Sequence, residues 1–292
     1  QPTCRLLVAP AMNREMWEKP ATQRNVARLR ADGVHVLGPA EGEQACGETG
    51  LGRMLEPGEI ADAILRQQVG ARRLIGLHAM VTAGPTFEPI DPVRGITNRS
   101  SGRMGYAIAK CLIDEGAQVT LVSGPTGLTP PDGAKFVGIE TSSQMFEAVN
   151  SNLEDVQLFF SVAAVADYTP TSPNQQKMKK AEASLNLKLK PTQDILATVA
   201  ARRHPPFCVG FAAESENIVE YASKKREKKK IPVIVANHAP SAIGSAENEV
   251  TIIDASGIHP VARATKGEIA WKIVDHVVKL YQKTSKTKKK TG

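Results

Sequence analysis

The sequence predicts an α/β fold: a doubly wound, mostly parallel sheet preceded by a shorter α/β segment. Three observations carry this. From residue 75 onward, short apolar runs (IGLHAMVTA, QVTLVSG, KFVGIET, VQLFFSVAAVAD, PFCVGFAAE, PVIVANH) alternate with helical patterns such as GYAIAKCLIDEG, SQMFEAVNSNL, TQDILATVAARR and NIVEYASKKREKKK. Runs that are apolar along their whole length are strands buried on both faces, as parallel strands with right-handed helical crossovers are. The first run ends in a glycine turn at Gly84 and a helix opens at Gly102, the phosphate-facing order of Rossmann-like sheets. Finally, 292 residues with 41% hydrophobic content suffice for one large or two medium cores.

The chain opens inside a strand, RLLVAPAMN (5–13), then a helix to about 32, VHVLGP (34–39), a glycine-rich loop to about 57 and the helix GEIADAILRQQ (58–68). Two strands do not make an open α/β sheet. Residues 1–70 are therefore expected to be the C-terminal remnant of a domain whose first part is missing, joined by a short basic linker, 71–74, to a complete domain over 75–283. A strand VTIID (250–254) and a helix over 265–282 close that domain, and residues 284–292 are expected to be a basic disordered tail. The polar, lysine-bearing stretch 169–190 comes directly after a strand's carboxyl end, where such sheets bind ligands, and reads as a mobile flap.

Composition narrows the function. No apolar run approaches the roughly 20 residues that cross a bilayer, and no basic-then-apolar leader is present, so a cytoplasmic protein without membrane anchoring is expected. Cys4, Cys46, Cys111 and Cys208 lie too far apart for a zinc motif or a disulfide scaffold, and reduced thiols are expected. The net charge of +7 sits largely in KKREKKK (224–230) and in the C-terminal KTSKTKKKTG. With only 4% aromatic residues, a base-stacking platform is lacking and nucleic-acid binding is not expected.

The stretch VTAGPTFEPIDPVRGITNRSSGRMG (81–105) carries the chemistry. Gly84 permits a tight turn, while Ser101, Gly102 and Gly105 place caps and bare backbone N–H groups at a helix start, which attracts phosphate. Arg94, Arg99 and Arg103 add charge suited to bidentate grip on carboxylate or phosphate. The loop is too long for a dinucleotide turn, G-x-G-x-x-G is absent in order, and the second strand ends in SGP rather than in a ribose-binding acid. A nicotinamide-dependent, short-chain reductase-like enzyme remains the alternative, supported by the Tyr221–Lys225 spacing. Lys225 and Lys229 also project from one helical face, where two ammonium groups suit a polyphosphate or simply solvent. Asp167, ending VAAVAD, suits a base, ribose or metal contact, or equally a helix cap.

TAGPTFEPIDPVRGITNRSSGRMG, VAAVADY, KMKK, VGFAAE and IVANH, in that order and spacing, resemble phosphopantothenate–cysteine ligase. In many bacteria that ligase is the C-terminal half of a bifunctional coenzyme A biosynthesis protein whose N-terminal half is the flavin-dependent phosphopantothenoylcysteine decarboxylase. PAMN (10–13) and ACGETGLGRMLEP (45–57) resemble the decarboxylase's substrate motif and active-site flap. The resemblance implies a CTP-dependent ligation of 4′-phosphopantothenate with L-cysteine through an acyl-cytidylate, with Mg²⁺ as a bridging ion whose ligands stay unassigned. It further implies that Asn98 acts on the acyl-cytidylate with Arg94 in support, and that Lys177 closes on the nucleotide phosphates. Ala163, Asp167, Asp194, Phe211, Lys225 and Lys229 fall at CTP-contacting positions, and Gly102 and Gly105 begin the phosphate-facing helix. Asn13 resembles the decarboxylase residue that binds the substrate's carboxylate, and Cys46 its proton donor. FMN is expected only for a complete decarboxylase domain of flavodoxin-like fold. A homodimer through the ligase domain is expected. Gln193 replaces a usual proline before Asp194, and Arg103 stands where lysine is common.

Overall fold

The computed structural model describes the chain except residues 1–5, 44–46, 48, 69–71, 180–184, 215, 239–246 and 291–292, and the side chains of 62, 65–68, 238 and 286–290. The chain divides into two compact units, Gln1–Gly70 and Ala71–Gly292. In the first, β1 (Leu7–Val8) pairs in parallel with β2 (His35–Val36) around α1 (Arg14–Glu18) and α2 (Pro20–Ala31). An antiparallel pair, β3 (Ala40–Glu43) and β4 (Thr49–Arg53), precedes α3 (Pro57–Gln68). Pro20 opens α2, where its missing N–H costs no hydrogen bond.

The second unit is built on one eight-stranded sheet. Its parallel strands are β5 (His78–Ala83), β8 (Gln118–Ser123), β9 (Ala134–Gly138), β10 (Leu158–Ser161), β13 (Phe207–Glu214) and β14 (Val233–His238). Two antiparallel strands, β15 (Glu247–Asp254) and β16 (Gly257–Thr265), finish one edge, giving the order β16-β15-β14-β13-β10-β5-β8-β9. Along the parallel strands alone, this is the doubly wound 3-2-1-4-5-6 arrangement, with its switch point between β5 and β10. Two small antiparallel pairs stand outside the sheet: β6 (Phe87–Pro89) with β7 (Gly95–Thr97), and β11 (Tyr168–Pro170) with β12 (Leu189–Pro191).

Period-two alternation divides the core between the two sheet faces. Val81, Leu121, Phe160, Val209 and Val235 pack against α4 (Arg103–Asp114) and α8 (Lys266–Lys290). Met80, Val122, Phe159, Cys208 and Ile234 pack against α5 (Ser142–Ser151), α6 (Ile195–Ala200) and α7 (Ile218–Lys229). Burial pushes the Cys208 thiol up to about 12, so it stays protonated and inert. Among the described residues no helix is long and apolar enough to cross a membrane.

Three expectations change. The strand read over 156–167 ends at Ser161, because the chain passes the sheet's carboxyl edge there and turns into a loop. The final hairpin strand Gly257–Thr265 was not expected, and its alternating exposed positions show why: it is a half-solvated edge. The C-terminal end of the basic linker packs on the second unit. Leu74 is fully buried, and the Arg73 guanidinium pairs with Glu115 and, at 2.7 Å, with Asp275. The closing helix continues to Lys290 and takes in most of the segment expected to be disordered, since lysine is a good helix former.

Candidate active site

At the β5–β10 switch point the crossovers leave on opposite faces, and the loops part to form a crevice above the strands' carboxyl ends. Gly84, Asn98–Gly105, Val162–Val165, Asp167, Phe211–Ala213, Lys225, Asn237, Asn248 and Lys266 line a cleft of about 410 Å³ there. Gly84 turns the chain out of β5 with φ of +71°, and a Cβ would meet Gly124 O at 3.0 Å.

Beyond Gly84 the chain forms a pinned hairpin before it reaches α4. The Phe87 N–H donates to Glu140 O at 2.8 Å, and buried Glu88 accepts from Ser142 N at 2.8 Å and Ser142 Oγ at 3.1 Å. At its tip, buried Asp91 accepts from Val93 N at 2.8 Å, Arg94 N at 2.9 Å, Met178 N at 3.2 Å and Arg94 Nη2 at 2.6 Å. The Arg94 guanidinium, opposed by burial and aided by these N–H groups, holds the Asp91 carboxyl well below the usual carboxylate range. Arg94 Nη2 also donates to Met178 O at 2.8 Å, so the loop grips the flap beside exposed Lys177.

The loop after β10 forms the opposite wall. Thr82 Oγ1 accepts from Val162 N at 3.2 Å and Ala163 N at 3.3 Å, and Ala164 N donates to Gly84 O at 2.9 Å. Asn98 Nδ2 donates to Ala164 O at 2.9 Å, tying the two walls together. Gly102 caps α4 in the left-handed region at φ 76°, and Gly102–Gly105 turn the first N–H groups of the helix to the cleft. Gly105 sits so close to the sheet that a Cβ would lie 2.6 Å from Ala83 Cβ.

Among the described residues lining the cleft, four cations, Arg99, Arg103, Lys225 and Lys266, face one carboxylate, Asp167. Burial, and then the charge of Arg103, lowers the Lys266 pKa, a cost that a bound anion relieves. Lys229 instead pairs with Asp194 at 2.6 Å, and Asp194 caps α6 by accepting from Ala197 N at 3.0 Å. Burial would raise the Asp194 pKa, but Lys229, the Ala197 N–H and the charge of Lys225 outweigh it and lower it. Thus Gly84, Asn98, Ser101, Gly102, Gly105, Ala163, Asp167, Phe211 and Lys225 share one cleft, whereas Arg94, Lys177, Asp194 and Lys229 are not among its lining. Tyr221 is exposed on α7 and does not line the cleft, so of the reductase-like pair only Lys225 reaches it. Lys266, Asn237 and Asn248 were missed. Each lies on or beside the antiparallel edge, and only the pairing of β14 with β15 brings them to the cleft.

In the first unit Asn13 Oδ1 accepts from Met16 N at 2.8 Å and caps α1, the bland role its position allows. Cys46 lies outside the described residues.

Residues 74–281 match the family described as DNA/pantothenate metabolism flavoprotein C-terminal domain. The chain belongs to that family. Residues 1–68 match the family described as Flavoprotein, which corrects the expectation for this segment: it is itself flavoprotein-domain sequence, so the flavin part is not wholly missing. The coenzyme A biosynthesis bifunctional protein CoaBC of Haemophilus influenzae is 39% identical over 96% of this chain and 70% of its own length. That of Escherichia coli K12 is 45% identical over 79% of this chain and 58% of its own length. Among solved structures, the C-terminal domain of a CoaBC protein matches at 38% identity with a TM-score of 0.63, covering 73% of this chain and all of that one. A Cab2 variant in complex with phosphopantothenate-cysteine shares the fold at 16% identity and a TM-score of 0.62, over 79% of this chain and 94% of that one.

Proposed function

We propose that the second unit ligates 4′-phosphopantothenate to L-cysteine with CTP, and that the first belongs to an FMN-dependent decarboxylase acting on the product. The observation that carries the ligase reading is a cleft with four cations, a helix N-terminus and one carboxylate at the switch point of the sheet.

The reaction brings together two anions. A carboxylate oxygen of 4′-phosphopantothenate attacks the α-phosphorus of CTP; the new O–P bond forms, the bond to the β-phosphate oxygen breaks, and pyrophosphate leaves. The cysteine amine then attacks the acyl carbon; the amide forms, CMP leaves, and the amine proton passes to solvent. The repulsion in the first step demands fixed positive charge, which the α4 terminus, Arg99, Arg103, Lys225 and Lys266 supply. Phe211, half-buried and packed on the core, offers an apolar wall. By resemblance Asn98 handles the acyl-cytidylate, and its bond to Ala164 O holds its side chain over the β10 loop. Lys177 is the flap's contribution, and Arg94 fastens the flap through Met178. Mg²⁺ fits the cleft's chemistry: Asp167, the carboxylate on its wall, is a hard oxygen donor that would hold the ion, which would offset the negative charge of the phosphates. In the first unit an amide, Asn13, and a thiol, Cys46, are residue types suited to a substrate carboxylate and a proton donor.

The test supplies 4′-phosphopantothenate, cysteine and Mg²⁺ with CTP or ATP in turn. CMP and pyrophosphate formed with CTP, dependent on both other substrates, support the reading; AMP formation in preference, or no monophosphate at all, overturns it.

A further inference from the structure

The β15–β16 turn, at the strand-amino side of the sheet and away from the cleft, gathers three side chains that the chemistry above leaves unused. Asp254, buried at the end of β15, accepts from His276 Nε2 on α8 at 2.7 Å through Oδ2. Its Oδ1 lies 3.4 Å from His259 Nε2 on β16. The two imidazoles stand against each other, with ring centroids 4.7 Å apart and tilted by 53°. One ligand atom from each of the three residues lies within 4.8 Å of the others.

From this geometry we infer that Asp254, His259 and His276 form a divalent-cation site, with Zn²⁺ as the preferred ion. The donor set, two imidazole nitrogens and one carboxylate, is that of zinc sites with three protein ligands and an open fourth position. Ligand atoms around a tetrahedral Zn²⁺, at ~2.0–2.2 Å from the metal, stand roughly 3.3 Å apart. His276 Nε2 lies 2.7 Å from Oδ2 and His259 Nε2 lies 3.4 Å from Oδ1, and with one ligand atom from each residue within 4.8 Å of the others, small side-chain rotations bring the three to that spacing. The carboxylate is already oriented: Ser256 N and Oγ each donate to Oδ1 at 2.6 Å, and Gly257 N donates at 3.2 Å. His259 and His276 are only partly covered, which leaves an entry path and room for a water at the fourth position. The ligands come from a strand end, its hairpin partner and the last helix. Bound metal therefore cross-links the sheet's outer edge to α8.

The test uses the full chain, stripped of metal with chelator and titrated with Co²⁺ as a spectroscopic stand-in for Zn²⁺. The expected result is one Co²⁺ per chain with intense tetrahedral d–d bands free of sulfur charge transfer, displaced by Zn²⁺, together with a Zn²⁺-dependent rise in Tm. His259→Gln, a change at a partly exposed strand position, is expected to weaken binding by on the order of 100-fold and to abolish the Tm rise, with ligase turnover unchanged. Absence of saturable Co²⁺ and Zn²⁺ binding overturns the site, as does binding that shows thiolate bands or equal affinity in His259→Gln. His276→Gln provides a second variant with the same expected loss.

Discussion

Gly105→Ala sets two opposed effects against each other at the start of the phosphate-facing helix. Alanine is the better helix former by ~0.8–1.0 kcal/mol, so at an exposed helical site the change would stabilise. Here the new Cβ would lie 2.6 Å from Ala83 Cβ, 3.2 Å from Ala83 Cα and 3.3 Å from Thr82 O. Ordinary carbon contacts are ~3.5–4.0 Å, so α4 and β5 must separate by about 1 Å. Overpacking of that kind costs ~1–3 kcal/mol, which exceeds the helical gain and leaves a net loss of about 1 kcal/mol. In a unit of this size that lowers Tm by ~2–4 °C. Function suffers more, because displacing the helix's N–H groups by about 1 Å from the phosphates costs on the order of 100-fold in turnover. Thermal unfolding and CMP release measured on the same preparation check both numbers. A variant with raised Tm and unaltered CTP kinetics would refute the close-contact argument.

Lys225→Ala and Lys266→Ala are each expected to raise the KM for CTP at least tenfold with little change in Tm; a Tm loss without a KM effect would show that they only pack. Replacing Asn98 with alanine is expected to let acyl-cytidylate accumulate in quench-flow samples, and unchanged product formation contradicts that role. Arg73→Ala leaves the Glu115 carboxylate, whose side chain is 4% exposed, without its main partner. Urea unfolding should show a loss of about 3 kcal/mol, the low end for breaking a buried pair because Arg73 itself retains some solvent contact. Asp194 has a folded-state pKa below its unfolded one, so its pairing stabilises fully above about pH 3.9 and is lost as pH falls through the lower folded value. Asp194→Asn should therefore flatten the acid limb of the stability curve, and an unchanged limb contradicts the pairing.

The parallel core was legible because its strands are apolar on both faces, and Met80–Val81 or Phe159–Phe160 have no other place in a sheet covered by helices. The β15–β16 edge was not, because residues such as Ile258 and Ala262 face solvent and their pattern carries no burial signal. The same split runs through the site. Gly84, Gly102 and Gly105 could be read locally, since a turn and a helix start state their own requirements. Lys266 could not: it is an ordinary charge at a helix start until the β14–β15 pairing folds it over the cleft. Nor could the buried Asp91, which draws Met178 from the flap to the arginine loop across 87 residues of sequence. Lys229 shows a partner that spacing does not reveal. Helical spacing puts it beside Lys225, and in the structure it pairs with Asp194 at the α6 cap.

If the cleft activates a carboxylate by transfer of a cytidylyl group, oxygen moves from the acid to the nucleotide. The most direct measurement follows oxygen-18 from the carboxylate of labelled 4′-phosphopantothenate during turnover with CTP, cysteine and Mg²⁺. Attack on the α-phosphorus predicts one labelled oxygen in each CMP and none in pyrophosphate. Label in inorganic phosphate or pyrophosphate, or CMP carrying none, would contradict it.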